Sequence, residues 1–282
     1  MPIHPAIEPG RVAVVTGAAS GIGLAAATSF AAMGMNVCLA DIEGENLDEA
    51  LREVRAAAAG RGEVRAIPTD VGSMQDLLHL KARADELGDV TVLMNNAGIE
   101  LGGRFFSPLG TWRRILDVNL WGAIQGVQVF VPDMMASGRP GLVINTGSKQ
   151  GITTPPGNTP YNVSKAGLKV MTEALAHELR NAPGCRVTAH LLIPGFVFTG
   201  LTRARGVTEK PAEAWTPEQT VDFMLASIER GDFYILCPDN GVTREMDEKR
   251  MAWAVGDIIE NRPALSRWDE HYKDAFDAYM RG

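Results

Sequence analysis

The chain has 282 residues, of which 45% are hydrophobic and 22% charged, and its formal net charge is −7. That balance belongs to a folded globular protein rather than a disordered one, and the negative charge argues against a general nucleic-acid or anionic-membrane surface. Cys38, Cys185 and Cys237 are few, odd in number and unclustered, so neither a disulfide framework nor a cysteine metal site is expected, and a reducing cytoplasm is the expected setting.

The first ten residues, MPIHPAIEPG, lack the basic and long apolar regions of a signal peptide. No run reaches the ~18 apolar residues of a membrane span. His4, with no partner in sequence, reads as part of a solvated tail. Val12-Ala-Val-Val15 is a short β-branched run that leads into Thr16-Gly-Ala-Ala-Ser-Gly-Ile-Gly23, and residues 24–33 are Ala-rich. Strand, glycine loop and helix in that order is the context in which glycines bind a dinucleotide: they let the backbone approach a pyrophosphate, and the helix N-terminus offers it free N–H groups.

Residues 36–41, NVCLAD, read as a second strand that ends in Asp41, 18 residues after Gly23. A carboxylate there accepts hydrogen bonds from the adenosine ribose and repels a 2′-phosphate. No Arg or Lys directly follows it, so NAD is expected over NADP.

Helix and strand patterns then alternate. Residues 47–59 have helical period, 63–68 read as a strand followed by Asp70 and Val71, 74–87 read as a helix, and 90–94 form a buried strand that leads into Asn95-Asn-Ala-Gly98. Such alternation predicts an α/β fold: a doubly wound parallel sheet of Rossmann type with helices on both faces and ligands beyond the C-terminal strand ends. No composition break or repeat divides the chain, so a single domain is expected, with its core over residues 11–240.

Residues 141–145, GLVIN, read as another strand, and Ser148 follows it. Tyr161 lies 13 residues further on, and Lys165 four residues beyond Tyr161, at the start of an apolar-periodic run. On a helix the two side chains share one face. A phenol titrates near ~10 in water, and an adjacent ammonium favours the phenolate. A Tyr so placed can exchange a proton with an alcohol or carbonyl oxygen, which Ser148 could help to hold.

Taken together, the glycine loop, Asn95-Asn-Ala-Gly98, Asn119, Ser148, Tyr161-x-x-x-Lys165 and Pro194-Gly-Phe-Val-Phe-Thr199 resemble the classical short-chain dehydrogenase/reductase family over residues 11–199. The resemblance implies a catalytic tetrad of Asn119, Ser148, Tyr161 and Lys165. Tyr161 would be the acid/base and Ser148 would position the substrate oxygen. Lys165 would lower the Tyr161 pKa and hold the nicotinamide ribose, and Asn119 would support a water that links Lys165 to solvent. The resemblance also implies cofactor contacts at Gly17, Ser20, Gly21, Ile22, Asp41, Asp70, Val71, Asn96, Gly98, Tyr161, Lys165, Val197 and Thr199. No metal is implied, since Tyr161 and Ser148 supply the polarisation. The expected partners are a small alcohol or ketone substrate and further copies of the chain: residues 112–135 and the Tyr161 helix correspond to the family's dimer-forming pair, so a homodimer or homotetramer is expected.

Leu101, Phe105, Phe106, Gln150, Ile152, Pro155, Pro156, Phe196 and Phe198 fall on loops that surround the site in such a fold, which suggests a bulky hydrophobic or aromatic secondary alcohol or ketone. Phe130-Val-Pro-Asp-Met-Met-Ala-Ser-Gly-Arg-Pro-Gly141 and Phe233-Tyr-Ile-Leu-Cys-Pro238 are similar to segments of bacterial dehydrogenases that act at the benzylic carbon of lignin-derived aryl ethers. Residues 199–215, with Arg203, Arg205 and Lys210, occupy the place of a substrate lid. A helical C-terminal extension is expected over residues 243–259 and 266–280, its Trp253 and Trp268 packing on their own domain rather than lining the cavity. The competing readings are an NADP-dependent carbonyl reductase, disfavoured by Asp41, and a non-catalytic NAD(H)-sensing or scaffold protein, disfavoured by the presence of Ser148, Tyr161 and Lys165. An extended epimerase or dehydratase fits the glycine spacing less well.

Overall fold

A computed structural model describes residues 4–200, 202 and 206–282 of the chain. Seven parallel strands form one sheet in the order β3-β2-β1-β4-β5-β6-β7: β1 Val12–Thr16, β2 Asn36–Asp41, β3 Val64–Pro68, β4 Val90–Asn95, β5 Gly141–Thr146, β6 Val187–Ile193 and β7 Tyr234–Leu236. The central strands β1 and β5 are buried along their whole length, as apolar runs covered on both faces should be.

Helices α1 (Gly21–Ala32) and α2 (Glu45–Ala58) cover one face together with α8 (Pro217–Glu229); α3 (Met74–Asp85), α5 (Gly122–Ala136) and α7 (Thr159–Asn181) cover the other. Between them run α4 (Leu109–Leu116) and the single-turn α6 (Gln150–Thr153). Two separate apolar clusters result, one on each side of the sheet. Phe30, Met35 and Leu39 fill the first, and Leu77, Leu80 and Phe130 the second. The expected doubly wound architecture is present. Strand order reverses between β1 and β4, and the crevice above that switch point is where a ligand fits.

Three local expectations are corrected. The N-terminal segment is not a solvated tail: Ala6 and Ile7 are buried, Thr91 donates to the Ala6 carbonyl at 2.7 Å, and His4 meets His190 edge-on at 6.4 Å. The expected run over residues 112–135 is helical throughout but not one regular α-helix, because Asp117–Trp121 winds as a π-helical turn between α4 and α5. The second half of the extension is not one helix. Two 3-10 turns, Ser266–Trp268 and Glu270–Tyr272, precede α10 (Lys273–Arg281), because the Asp269 carboxylate accepts from the His271 N–H and restarts the helical path.

Ahead of those turns, α9 (Arg244–Ile259) carries Trp253, which is the core of the extension. Its indole N–H donates to Ser266 Oγ at 2.8 Å, Phe276 and Tyr279 pack against it at 5.3 Å, and the Arg262 guanidinium stacks 4.0 Å over it. Trp253 therefore packs within its own domain, as expected. Cys38 and Cys237 are buried, and burial pushes both thiols up to about 12. Among the described residues no helix is long and apolar enough to cross a membrane, and no His, Cys, Asp and Glu group could hold a metal ion.

Candidate active site

A cavity of about 550 Å³ opens above the C-terminal ends of the strands. Its lining gathers Gly17, Ser20, Gly21, Ile22, Asp41, Asp70, Val71, Asn96, Gly98, Ser148, Tyr161, Lys165, Val197 and Thr199, residues that lie up to 182 positions apart in sequence. Asn119 is the one member of the expected set outside it.

At the β1 end the backbone makes the cradle. Gly17 and Gly21 adopt φ of +65° and +57°, where an L side chain is strained. A Cβ on Gly23 would lie 2.1 Å from the Gly17 carbonyl oxygen, so the α1 N-terminus can press this close to β1 only without one. Ser20 is the N-cap of α1, but its side chain caps nothing and no acid occupies the first turn. The first N–H groups of α1 are thus left to an anion in the cavity. Asp41 closes this end: its Oδ2 accepts from the Ala19 N–H and its Oδ1 from the Ile42 N–H, each at 2.8 Å, which fixes the carboxylate beside the glycine loop with lone pairs to spare.

Asp70 lines the cavity beyond β3. Burial pushes its carboxyl up, but the Gly72 N–H at 2.9 Å and the Arg114 guanidinium at 3.0 Å outweigh that and hold it below the usual carboxylate range. Asn96 is a clasp. Its amide donates to the Thr16 and Gly17 carbonyls at 3.1 and 3.2 Å and its carbonyl accepts from the Thr146 hydroxyl at 3.2 Å, so it stitches β1, β4 and β5 together under the cavity. Below it lies a buried polar ladder that sequence reasoning did not single out: Asn95 donates to Asn145, and Asn145 to Thr172, at 2.9 and 3.0 Å. Full burial of Asn in a strand is a signal that sequence alone does not carry.

Tyr161 enters at the start of α7, just after Pro160, and Lys165 follows one turn later on the same face. Both are buried. The Tyr161 phenol is hydrogen-bonded to the Ser148 hydroxyl. The Lys165 ammonium donates to the Thr146 carbonyl at 2.8 Å and lies 5.7 Å from the Tyr161 ring centroid. Burial pushes the phenol up, and the Ser148 hydrogen bond pulls it back only in part. Burial brings the Lys165 ammonium down to about 8. Desolvation therefore dominates at this depth and sets the direction of both shifts.

Asn119 sits in the π turn, with its carbonyl accepting from the Ile99 N–H at 2.8 Å and its amide donating to the Ile99 carbonyl and Ser164 Oγ at 2.9 and 3.2 Å. A π turn shifts the backbone register by one residue, and here Asn119 anchors the strand exit at Ile99 rather than pointing into the cavity.

Of the expected aromatic rim, Gln150 and Phe196 line the cavity. Leu101, Phe105 and Phe106 stand 57%, 66% and 96% exposed, outside the lining, with Phe105 packed between Phe106 and Trp112. Ile152 packs away from the cavity, against the Leu191, Ile193 and Leu236 cluster. Arg203 and Arg205 lie outside the described residues. The Lys210 ammonium donates to the Ala214 carbonyl at 2.8 Å, which ties it into its own loop.

The residues present fit a nicotinamide dinucleotide. The glycine cradle and free α1 N–H groups suit a pyrophosphate, Asp41 suits ribose hydroxyls, and Lys165 with Tyr161 suits the reacting end. Comparison with known proteins agrees. The family model described as short chain dehydrogenase matches residues 11–210. A 1-deoxy-11-beta-hydroxypentalenate dehydrogenase of Streptomyces exfoliatus is 36% identical over 266 residues, covering 92% of this chain and 94% of that protein. A short chain dehydrogenase/reductase from Burkholderia phymatum, solved in complex with NAD, superposes with a TM-score of 0.81 at 32% identity, covering 90% of this chain and 96% of that one. A metagenomic short-chain oxidoreductase in complex with NADP gives a TM-score of 0.68 at 28% identity, covering 82% and 98%. Fold, cavity and comparisons converge: this chain is an oxidoreductase of the short-chain dehydrogenase/reductase family.

Proposed function

We propose that the chain interconverts a secondary alcohol and a ketone with NAD(H) as its redox partner and Tyr161 as the acid/base. The observation that carries the reading is the buried Tyr161 phenol, bonded to Ser148 and one helical turn from Lys165, in a cavity whose far end is closed by Asp41. When bound, the nicotinamide supplies hydride chemistry, accepting a hydride from the carbinol carbon in oxidation and returning it in reduction. In oxidation Tyr161 takes the hydroxyl proton as the ketone forms; in reduction it gives that proton back. Ser148 donates a hydrogen bond to the substrate oxygen, and Lys165 holds positive charge beside the phenolate that oxidation requires. Asn119 orders the Ile99 backbone next to this group.

The substrate we infer is bulky and largely apolar, with Ile99, Val118, Phe196 and Val197 among the apolar side chains that line the cavity. The relative from Streptomyces exfoliatus bears the name of a dehydrogenase of a hydroxylated compound, which agrees with a CH–OH donor. NADP-bound and NAD-bound proteins both occur among the structural neighbours, so cofactor choice rests on this chain's own charges. Among the described residues the cations of the cavity lining are Arg114, Lys149 and Lys165. Arg114 is paired with Asp70, and the other two stand near Ser148 and Tyr161, so a 2′-phosphate at Asp41 meets a carboxylate and no cation. Fluorescence titration should give an NADH affinity about tenfold to a hundredfold above that for NADPH. Equal affinities would remove the preference for NAD, and tighter NADPH binding would favour the carbonyl-reductase alternative.

We also propose that the 282 residues act as one unit, that the protein works in the cytoplasm, and that it self-associates through the α5 and α7 faces.

A further inference from the structure

Three charged side chains that the proposed reaction does not use meet beside Ser148. The Lys149 ammonium lies 2.6 Å from Asp247 Oδ2 and 3.5 Å from Asp239 Oδ2, with side-chain exposures of 17%, 4% and 5% for Lys149, Asp247 and Asp239. Asp239 also gathers three backbone donors. Its Oδ2 accepts from the Phe196 N–H at 2.9 Å, and its Oδ1 from the Gly241 and Val242 N–H groups at 3.0 and 2.7 Å. Gly195 passes through this cluster, where a Cβ would lie 2.7 Å from Asp239 Oδ2 and 3.1 Å from Lys149 Nζ.

The cluster joins three segments that sequence keeps far apart. Lys149 directly follows Ser148 in the turn after β5. Phe196 and Gly195 belong to the loop after β6, the strand next to β5, and line the same cavity, and Asp247 sits in the first turns of α9. Met251, one turn further along α9, packs with Ile152 of α6 against the β6 and β7 ends. Burying an ammonium between two carboxylates costs desolvation that the ion pairs only roughly recover, so such a cluster adds little net stability. What it adds is geometry: a charge-assisted hydrogen bond from the Phe196 amide to Asp239, a second from Lys149 to Asp239, and a close ion pair between Lys149 and Asp247.

We propose that Lys149, Asp239 and Asp247 are positioning residues: they lock the Ser148 turn to the adjoining 194–197 loop at the edge of the cavity, so that the C-terminal extension completes the active site. The kinetic part of this inference rests on the dehydrogenase reading; the structural part does not.

The test uses the full chain with Asp247→Asn, Lys149→Met and Lys149→Arg. In the cofactor-free protein, amide hydrogen exchange should accelerate about tenfold in peptides spanning 147–153 and 194–198 of the first two variants, with the interiors of β4 and β5 unchanged. In turnover of the best secondary alcohol with NAD⁺, kcat should fall about tenfold or more in those variants while KM for NAD⁺ stays within about twofold, and Lys149→Arg should recover most of kcat. Unchanged exchange, acceleration spread over the whole sheet, or kcat equal to wild type would overturn the proposal. Localised acceleration in a protein whose wild type turns over no alcohol would uphold the structural clamp and count against the dehydrogenase reading alone.

Discussion

At Tyr161 and Lys165 the protein carries a cost that its fold does not need. Burial raises the phenol and lowers the ammonium, each away from the charged form that alcohol oxidation uses. Lys165 is the measurable case. The unfolded chain keeps its proton up to about 10.5, whereas the folded chain releases it at about 8. Between those values the unfolded state binds more protons, so stability rises with pH; the penalty is complete below pH 8 and gone above pH 10.5. Urea unfolding of wild type against Lys165→Met should therefore show wild type gaining roughly 3 kcal/mol on the variant as pH rises through that window. A difference independent of pH would mean that the ammonium is not desolvated. The Tyr and Lys pair was legible in sequence because spacing on a helix dictates a shared face, and Ser148 because it follows an apolar strand whose C-terminal end faces the site. The direction of the Tyr161 shift was not, because burial of that residue depends on tertiary packing around α7, which has no local period in the sequence.

The element that seats this pair is the contact of α6 with α7. Gly151 makes it possible: a Cβ there would lie 2.6 Å from the Lys165 carbonyl carbon and 2.7 Å from its oxygen, which are backbone atoms with little room to yield. Gly151→Ala should push the Ser148 turn off α7, cost about 1–3 kcal/mol of stability and depress turnover more than NADH affinity. A variant with wild-type melting temperature and kcat would show that the contact is loose. The strands and the α1 glycine loop were readable from local pattern, since apolar runs and glycine spacing are local properties. The π turn at Asp117–Trp121 was not, because an inserted residue leaves the apolar periodicity of α4 and α5 almost unaltered. The aromatic rim failed for a related reason. Residues placed on a loop by sequence carry no direction, and Phe106 points to solvent while Ile152 turns into a core.

For the molecule as a whole, sequence anticipated the doubly wound sheet and gathered all but one of the expected site residues around one cavity. It missed the tie between Lys149 and Asp239, 90 residues apart, because such a pairing has no local period. Trp121, Val163 and Val170 remain exposed on the π turn and α7, and burial of these apolar side chains against a second copy is the physical basis of the proposed self-association. Light scattering at micromolar concentration should give a multiple of the 30.3 kDa chain mass; a monomer would contradict it. The account depends most on Tyr161 as the acid/base. The direct measurement is Tyr161→Phe assayed twice, by NADH fluorescence titration and by NADH formation from NAD⁺ with a panel of aryl and aliphatic secondary alcohols. NADH affinity within about twofold of wild type, with turnover reduced by roughly 10²–10⁴-fold, is the predicted result. Turnover close to wild type with NADH binding intact would contradict the central claim and send the search for the proton donor elsewhere in the cavity.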